Sequence, residues 1–458
     1  MIPLTLSEIA SHIGGELIGD DTLIESVSTD TRSTDQNDLF VALKGPRFDA
    51  HEFLQQAIEN GAKALMVSQR SSLDASQIIV KNTLIGLGKL SALVRQKSSA
   101  KVIGLTGSVG KTTVKEMIAS ITKRLGKTVA TAGNLNNEVG VPLTLLRLNA
   151  NTEYAVIEMG ANHHGEIDYT THLVQPDVAL INNVAAAHLE GFGDLHGVAR
   201  AKAEIFRGLA SNGSAVINRD DDFFEYWHGN TKQDQMDYSV ETDARVSAKN
   251  ILENEDNSFN FDLSYDDQLT PIHLTVPGKH NIANALAAAA CCLSLNIDRT
   301  EIANGLSEFK GVKGRLQILR VSPNFMVIDD TYNANYTSLT AAINVLSKQP
   351  GFKILALGDM GELGGSAKEY HQKAGQFAKQ SNIDLLLTIG ELSFFASQAF
   401  GENAIHCQTQ AELIEKIKQQ QKEKAVSVLM KGSRSAHMDK IVNQLVESIP
   451  EINSGGRH

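Results

Sequence analysis

Short apolar runs alternate with amphipathic stretches along nearly the whole chain, and many of the runs end in polar residues. Val102, Ile103 and Leu105 make a brief buried-strand pattern, and 114–125 carries apolar residues at helical spacing. The alternation continues to about residue 310 and predicts βαβ units, hence a mainly parallel sheet covered by helices. An apolar run at 154–158 ends in Glu158 and leads to Asn162. A second, at 177–183, ends in Asn183 and leads to His188, and 198–208 reads as a helix carrying Lys202 and Glu204. Residues 230–275, rich in Asp, Asn and Ser with alternating apolar positions, predict hairpins at the sheet edge and suggest no chemistry. Pro277-Gly278-Lys279-His280 then opens an alanine-rich helix.

The regions on either side differ from this one. Residues 1–85 predict a compact mixed domain, with a helix over 4–13 starting near Thr5, a buried strand over 39–43, a helix over 51–61 and a strand over 64–67. From 311 onward, apolar strands over 325–328, 353–357, 383–389 and 426–430 alternate with helices, which predicts a second doubly wound unit. The lysine- and glutamine-rich helix over 414–424 reads as a solvated face. The expected fold class is therefore α/β in three domains: a small mixed domain at 1–85, a central parallel-sheet domain at 86–310 and a Rossmann-like domain at 311–458.

A length of 458 residues agrees with several domains, each with its own core. A formal net charge of −11 and the absence of a basic stripe argue against a nucleic-acid carrier, although a local pocket can still oppose the overall sign. Of three cysteines, Cys291 and Cys292 are adjacent in the alanine-rich run and read as buried small residues in a reduced compartment. The first residues lack a basic, then apolar leader, and no apolar run is long enough to span a bilayer. A soluble, cytoplasmic protein is expected.

Candidate chemistry centres on the turn between the 102–105 strand and the helix after it, Thr106-Gly107-Ser108-Val109-Gly110-Lys111-Thr112-Thr113. A glycine-rich turn feeding a helix N-terminus lets backbone N–H groups face a polyphosphate. Lys111 would reach the terminal phosphates and the Thr112 hydroxyl would ligand Mg²⁺, so ATP or GTP is the expected nucleotide. The common pattern has a glycine where this chain has Leu105, which makes the loop a compact variant. Ligands gather at the carboxyl ends of strands in open α/β sheets, which brings Glu158 and His188 toward this turn. Either residue could hold a metal; a helix-capping Glu and a structural His are the plain alternatives. Asn281 and Asn284, three apart on one helix face, could read an adenine ring or cap the helix, and the turn at Asn137 could position substrate or be a turn only. Near the N-terminus, Ser28-Thr29-Asp30-Thr31-Arg32 and the stretch from Lys44 through Arg47 to His51 read as solvated turns, or as a pocket for an anionic sugar nucleotide facing Arg32, Lys44 and Arg47.

Taken in order, the glycine-rich turn, Glu158-Met-Gly, Asn183 to His188, Ala201-Lys202-Ala-Glu204, His280-Asn-Ile-Ala-Asn284, Gly314-Arg315 and Asp330-Thr-Tyr-Asn-Ala-Asn335 resemble the Mur ligases, the ATP-dependent amide-forming enzymes of peptidoglycan precursor synthesis. The resemblance covers nearly the whole chain. Tyr332 to Asn335, Leu357 to Gly364 and Lys431 to Arg434 are similar to the branch that adds D-alanyl-D-alanine to UDP-N-acetylmuramoyl-tripeptide. The resemblance implies ATP and two Mg²⁺ ions, with Lys111 on phosphate and Thr112, Glu158 and His188 on metal. It also implies a carbon dioxide adduct on Lys202 that turns a cation into a metal-orienting carboxylate. Asn281 and Asn284 are implied to face adenine, and Arg315 and Asp330 to reach phosphate and ribose as the third domain closes. Ser28, Thr29, Asp30, Arg32, Lys44, Arg47, Asn137, Asn333, Asn335, Asp359 and Arg434 are implied on the substrates of a monomeric enzyme. Two positions depart from the family pattern: Tyr336 where proline is usual, and Ala50 where glycine is common. Rival readings are a sister ligase adding one amino acid, a folylpolyglutamate synthetase, a non-catalytic sugar-nucleotide binder, and a GTPase switch, whose guanine-reading Asn-Lys-x-Asp the chain lacks.

Overall fold

The computed structural model describes residues 1–46, 48–185 and 189–448. The apolar runs become three main sheets, each with buried strands and amphipathic helices against it. The N-terminal sheet has five strands in the order Glu16–Ile18, Ser76–Ile79, Ala64–Val67, Asp38–Val41, Ser26–Ser28, parallel except for the first. Thr5 caps the helix Leu6–Ile13 by accepting the Glu8 N–H, and Gly14 ends it at φ 72°. The helix expected over 51–61 divides into a 3₁₀ turn, Ala50–Phe53, and a shorter helix, Leu54–Glu59. Asp49 caps the 3₁₀ turn by accepting the His51 N–H. Ala50 begins that turn and is buried, so the position places a β-carbon without left-handed backbone.

Helix Thr83–Lys97 runs straight through residues 85 and 86. Its Leu87, Leu90 and Val94 bury into one cluster with Leu6 and Ile9 on the N-terminal side and Val141 and Leu145 on the central side. Shared apolar burial of this kind joins the first two lobes firmly.

The central sheet has nine strands in the order Gln268–Leu274, Phe259–Tyr265, Val246–Glu253, Asp234–Ser239, Ser214–Asn218, Val178–Ile181, Lys101–Thr106, Tyr154–Glu158, Thr128–Ala130. Only the first two pairings are antiparallel. The region expected to be hairpins thus begins with a strand, Asp234–Ser239, that extends the parallel sheet; its Met236 and Tyr238 face the helical layer and are buried. Along Lys101–Thr106, Val102 enters one core cluster and Ile103 and Leu105 the other, the period-two signature of a strand covered on both faces. Helices Lys111–Lys123 and His280–Ser294 lie over the second face.

The C-terminal sheet runs Gln317–Ser322, Phe325–Asp330, Val426–Lys431, Phe352–Gly358, Leu385–Ile389, Ala404–Cys407, parallel apart from the first strand, an edge strand the sequence pattern does not reveal. Gly311 and Gly314, at φ 89° and 72°, bend the chain into this domain. No helix among the described residues is long and apolar enough to cross a membrane.

Helix Arg299–Glu308 crosses Lys111–Lys123 so closely that a β-carbon on Gly305 would fall 2.5 Å from the Ile121 Cα, and the Gly305 carbonyl accepts the Ser120 hydroxyl at 2.7 Å. Gly305→Ala should push the helices apart and cost about 1–3 kcal/mol. A lowered unfolding midpoint in chemical denaturation checks this; an unchanged midpoint would refute the close packing.

Candidate active site

Three adjacent strands of the central sheet deliver the site. Lys101–Thr106 lies between Val178–Ile181 and Tyr154–Glu158, so the glycine-rich turn, Asn182-Asn183 and Glu158 meet at one carboxyl edge. The turn is strapped by the neighbouring strand end. Ser108 N–H donates to the Asn183 carbonyl at 3.0 Å and Val109 N–H to Asn183 Oδ1 at 2.9 Å. The Val109 carbonyl in turn accepts from both Asn182 Nδ2 and Asn183 Nδ2, at 2.9 and 3.0 Å. Gly110 has φ 80°, and a β-carbon there would lie 2.6 Å from Asn284 Oδ1 and 2.7 Å from Asn182 Nδ2. Glycine is required twice over at that position, for backbone conformation and for space. Helix Lys111–Lys123 starts immediately afterwards without a side-chain cap, which leaves its first N–H groups to a ligand.

Lys111 Nζ folds back to donate to the carbonyls of Gly107, at 2.7 Å, and Ser108, at 3.3 Å. Burial lowers its hold on its proton; Glu158 opposes that and Arg315 adds to it. Glu158 caps no helix. Its Oε2 accepts the Thr112 hydroxyl at 3.0 Å and its Oε1 accepts Asn136 Nδ2 at 2.9 Å, all in a buried pocket. Among the described residues no group of three His, Cys, Asp or Glu could hold a metal unaided. A hydroxyl and a carboxylate side by side suit a hard cation that completes its shell from phosphate and water, which describes Mg²⁺.

Lys202 is not a surface lysine. It is 3% exposed, and its ammonium has no hydrogen bond or ion pair among the described residues. Burial, with repulsion from Lys111, drives its pKa well below the ordinary lysine value. Two residues on, Glu204 accepts the N–H groups of Gly165 and Asp168 and so caps helix Glu166–Val174. His188 lies outside the described residues, as does Arg47.

Asn281 and Asn284 are not helix caps either. They belong to a one-way chain of hydrogen bonds: Tyr238 OH donates to Asn182 Oδ1 at 2.9 Å, Asn182 Nδ2 to Asn284 Oδ1 at 3.4 Å, Asn284 Nδ2 to Asn281 Oδ1 at 2.9 Å, and Asn281 Nδ2 to the Pro277 carbonyl at 2.7 Å. The phenol also reaches the Asn182 carbonyl, at 3.0 Å, and its single proton is shared between the two oxygens of that residue.

Between the central and C-terminal domains opens a cleft of about 990 Å³. Ser108, Val109, Gly110, Lys111, Thr113, Asn137, Glu158, Asn281 and Asn284 line it from one side, and Arg315, Asp330, Asn333 and Asn335 from the other. Thr112 turns beneath it toward Glu158, and Gly107 supplies the carbonyl under Lys111. Arg315 crosses between domains: its NH2 donates to Thr112 Oγ1 at 3.2 Å, its guanidinium carbon lies 4.0 Å from the Tyr332 ring centroid, and its buried Nε has no hydrogen-bond partner among the described residues. Asp330 is engaged with Lys431, which is 1% exposed and also donates to the Asn333 carbonyl at 3.0 Å. Asn335 caps helix Tyr336–Ser347 in a reciprocal box with Ser338, and the Tyr336 ring packs on Tyr370 at 5.7 Å, so the loop is ordered without proline.

Ser28, Thr29, Asp30, Arg32 and Lys44 do not line this cleft. Ser28 and Asp30 organise their own turn, Arg32 holds the exposed Asp30 carboxyl down to about 2, and Lys44 lies 3.4 Å from Asp49. Asp359 and Arg434 also sit away from it: Asp359 accepts backbone N–H groups inside its domain, and Arg434 lies 3.6 Å from Asp439. Sequence reasoning gave no role to Asn136, Asn182 and Tyr238; the amides lie in polar strand ends, but nothing around Tyr238 marks it out.

Models of the Mur ligase middle domain, of the Mur ligase glutamate ligase domain and of the Mur ligase family catalytic domain match residues 105–292, 314–434 and 23–93. The UDP-N-acetylmuramoyl-tripeptide--D-alanyl-D-alanine ligase of Escherichia coli (strain K12) is 45% identical over 452 residues, covering 98% of this chain and 99% of that one. The chain belongs to the Mur ligase family. Among solved structures, a crystal structure of MurF from Acinetobacter baumannii superimposes with a TM-score of 0.92 at 38% identity, covering 97% of this chain and 99% of that one. The MurF ligase of Thermotoga maritima in complex with ADP does so with 0.82 at 26%, covering 93% and 97%.

In this Mur ligase, Tyr238→Phe should leave a buried amide without its donor and cost about 1–3 kcal/mol, and Asn182→Ala should cost more because it also removes one of the two donors to the Val109 carbonyl and the donor to Asn284 Oδ1. Denaturant unfolding of both variants checks the order; equal stability of Tyr238→Phe and the unsubstituted protein would argue against the chain of amides.

Proposed function

We propose that this Mur ligase joins D-alanyl-D-alanine to the terminal carboxylate of UDP-N-acetylmuramoyl-tripeptide, with ATP giving ADP and phosphate. The observation that carries the reading is the single cleft in which the glycine-rich turn, Lys111, Glu158 and the cross-domain Arg315 converge. End-to-end similarity to a ligase of that name and to an ADP-bound MurF supports it. A binder that used nucleotide only structurally would have no need of so many cations around one space.

The chemistry follows from the groups present. A carboxylate is a poor electrophile, so ATP first transfers its γ-phosphoryl group to the tripeptide carboxylate. Lys111, freed from its two carbonyls, and Arg315 would meet the phosphoryl oxygens as their charge develops. The dipeptide amine then attacks the acyl phosphate, and the tetrahedral species collapses to amide and phosphate. Thr112 and Glu158 would hold Mg²⁺, which when bound spreads charge over the phosphates. A carbon dioxide adduct fits Lys202, because a buried amine held uncharged is the form that adds CO₂; the product carboxylate would answer the repulsion from Lys111. Asn281 and Asn284, already fixed in orientation, would face the adenine. Arg32, Lys44 and the turn at Ser28–Asp30 would receive the uridine diphosphate, and the joint at 311–314 would let the C-terminal domain close and exclude water from the acyl phosphate. The working division of the chain is 1–85 for UDP-substrate, 86–310 for ATP and 311–458 for dipeptide.

Phosphate release with ATP, Mg²⁺ and UDP-muramoyl-tripeptide, with D-alanyl-D-alanine present or withheld, tests the reading. Release that depends on both substrates and yields a lengthened peptide is expected; nucleotide turnover without lengthening under any amine would overturn it. Lys111→Ala should lower phosphate release by about 10²–10³-fold or more, while calorimetric affinity for the UDP-substrate stays nearly unchanged. Equal loss of both would contradict the division of labour. For Lys202, a carbamate ¹³C resonance should appear on equilibration with labelled bicarbonate and be missing from Lys202→Arg.

A further inference from the structure

Asp330 and Lys431 end adjacent parallel strands and are register partners, so their side chains leave the sheet side by side. Both are shut away from water, at 6% and 1% exposure. Lys431 Nζ pairs with Asp330 Oδ2 and donates to the Asn333 carbonyl at 3.0 Å. A buried ion pair is a poor way to stabilise a fold, since apolar residues of similar size often serve as well or better. It does supply direction. The second oxygen, Asp330 Oδ1, accepts the Leu316 N–H at 3.2 Å.

Leu316 has φ 50°, a left-handed backbone that a leucine occupies only at a cost in strain. The hydrogen bond to Asp330 and a side chain buried in the C-terminal core keep it there. The residues before it are fixed as firmly. Gly314 is also left-handed, at φ 72°, and its carbonyl accepts the Tyr332 N–H at 3.1 Å, while the Arg315 N–H donates to the Val312 carbonyl at 3.0 Å. Arg315 therefore lies between two left-handed residues, each clamped to the strand Phe325–Asp330 or to the chain just after it. From that backbone its side chain leaves the domain and reaches Thr112 across the cleft. The Tyr332 ring steadies the guanidinium, but the direction in which the side chain sets out is fixed by the backbone at 314–316.

We propose that Lys431 and Asp330 are positioning residues of the first half-reaction: the pair fixes the backbone at Leu316 so that Arg315 is aimed at the transferring phosphoryl group before ATP arrives. The assignment rests on the ligase reading above and on the place of Arg315 in it. A guanidinium held in advance needs little reorganisation as the phosphoryl charge develops, and a small misdirection of it would be expensive in rate.

Each variant is assayed as the full chain with ATP, Mg²⁺ and UDP-muramoyl-tripeptide, without dipeptide, for the hydroxamate formed when hydroxylamine traps the acyl phosphate. Calorimetric affinity for the UDP-substrate reports on folding. Lys431→Met keeps the side-chain length and removes the charge. Asp330→Leu combined with Lys431→Met removes the acceptor as well and leaves no lone buried charge, so it folds even where the single variant does not. In either, kcat for hydroxamate should fall about 10²-fold while the KM for ATP stays within about threefold. Arg315→Ala alone should lower kcat about 10²–10³-fold. Lys431→Met added to Arg315→Ala should cost no more than about threefold further, because the pair acts through an arginine that is no longer there. Losses that multiply, as a merely structural role predicts, would overturn the assignment and leave the ligase reading intact. So would unchanged kcat in either variant, including a raised KM for ATP at unchanged kcat, which would mean that the pair serves the nucleotide directly. An Arg315→Ala enzyme of full kcat would remove Arg315 from the reaction and this assignment with it. Absence of both hydroxamate and lengthened peptide from the unsubstituted protein would overturn the ligase reading itself.

Discussion

Everything at the catalytic edge depends on the close approach of Gly110 to two amides. With Asn284 Oδ1 and Asn182 Nδ2 each within 3 Å of where a β-carbon would stand, the turn can pass only as glycine, and only if those amides stay still. They stay because Asn182 ends the strand beside the one that feeds the turn, Asn284 sits on the helix His280–Ser294 over that sheet, and Tyr238, on the next strand but one, donates to Asn182. The phosphate-facing turn is thus rigid for reasons that lie outside it. A polyphosphate site needs that rigidity, since donors that must reorganise at the moment of reaction lose much of their effect.

A second constraint is electrical. The chain carries an excess of acids, yet the cleft collects Lys111, Arg315 and Lys431. Lys202 is buried, and Lys111 adds to the burial that drives its ammonium toward the uncharged form. Such an arrangement favours anionic ligands over the cations. Arg315 is incomplete from the other domain, with one nitrogen on Thr112, its face on Tyr332 and a buried Nε without a hydrogen-bond partner among the described residues. Unmet polar capacity inside a native fold costs stability, and Arg315 Nε sets one such group at the cleft between the domains.

How far the sequence carried this picture depended on the range of the interaction. Strands and helices governed by local periodicity were legible: the glycine-rich turn sits between a strand and a helix, Glu158 ends its strand, and the C-terminal strands fall where apolar runs predict them. Interactions across sheet neighbours were not. Tyr238 looks like any strand aromatic until strand order sets it beside Asn182, and strand order is not written in periodicity. Asn281 and Asn284 were visible as a pair, but whether they cap the helix or belong to a longer chain of amides depends on Pro277 and on Asn182 and Tyr238, which lie on other elements far away in sequence. The strand Gln317–Ser322 escaped for a related reason: an edge strand with half-buried residues has no strong alternation. Lys202 is the sharpest case. Its helix is plainly amphipathic, yet only the packing of Leu195–Ala203 reveals that this lysine points inward.

The C-terminal domain shows how a polar residue at a strand end can be committed to the fold. Asp359 follows strand Phe352–Gly358, and the family resemblance implies it as a substrate contact. Its position also brings it under Leu392 and Ser393, whose N–H groups would be left without acceptors if it turned outward. The Met360 N–H on His371 Nε2 holds the same loop from its other side, so the chain after this strand is fixed by the fold itself and a polar strand end need not be a ligand contact.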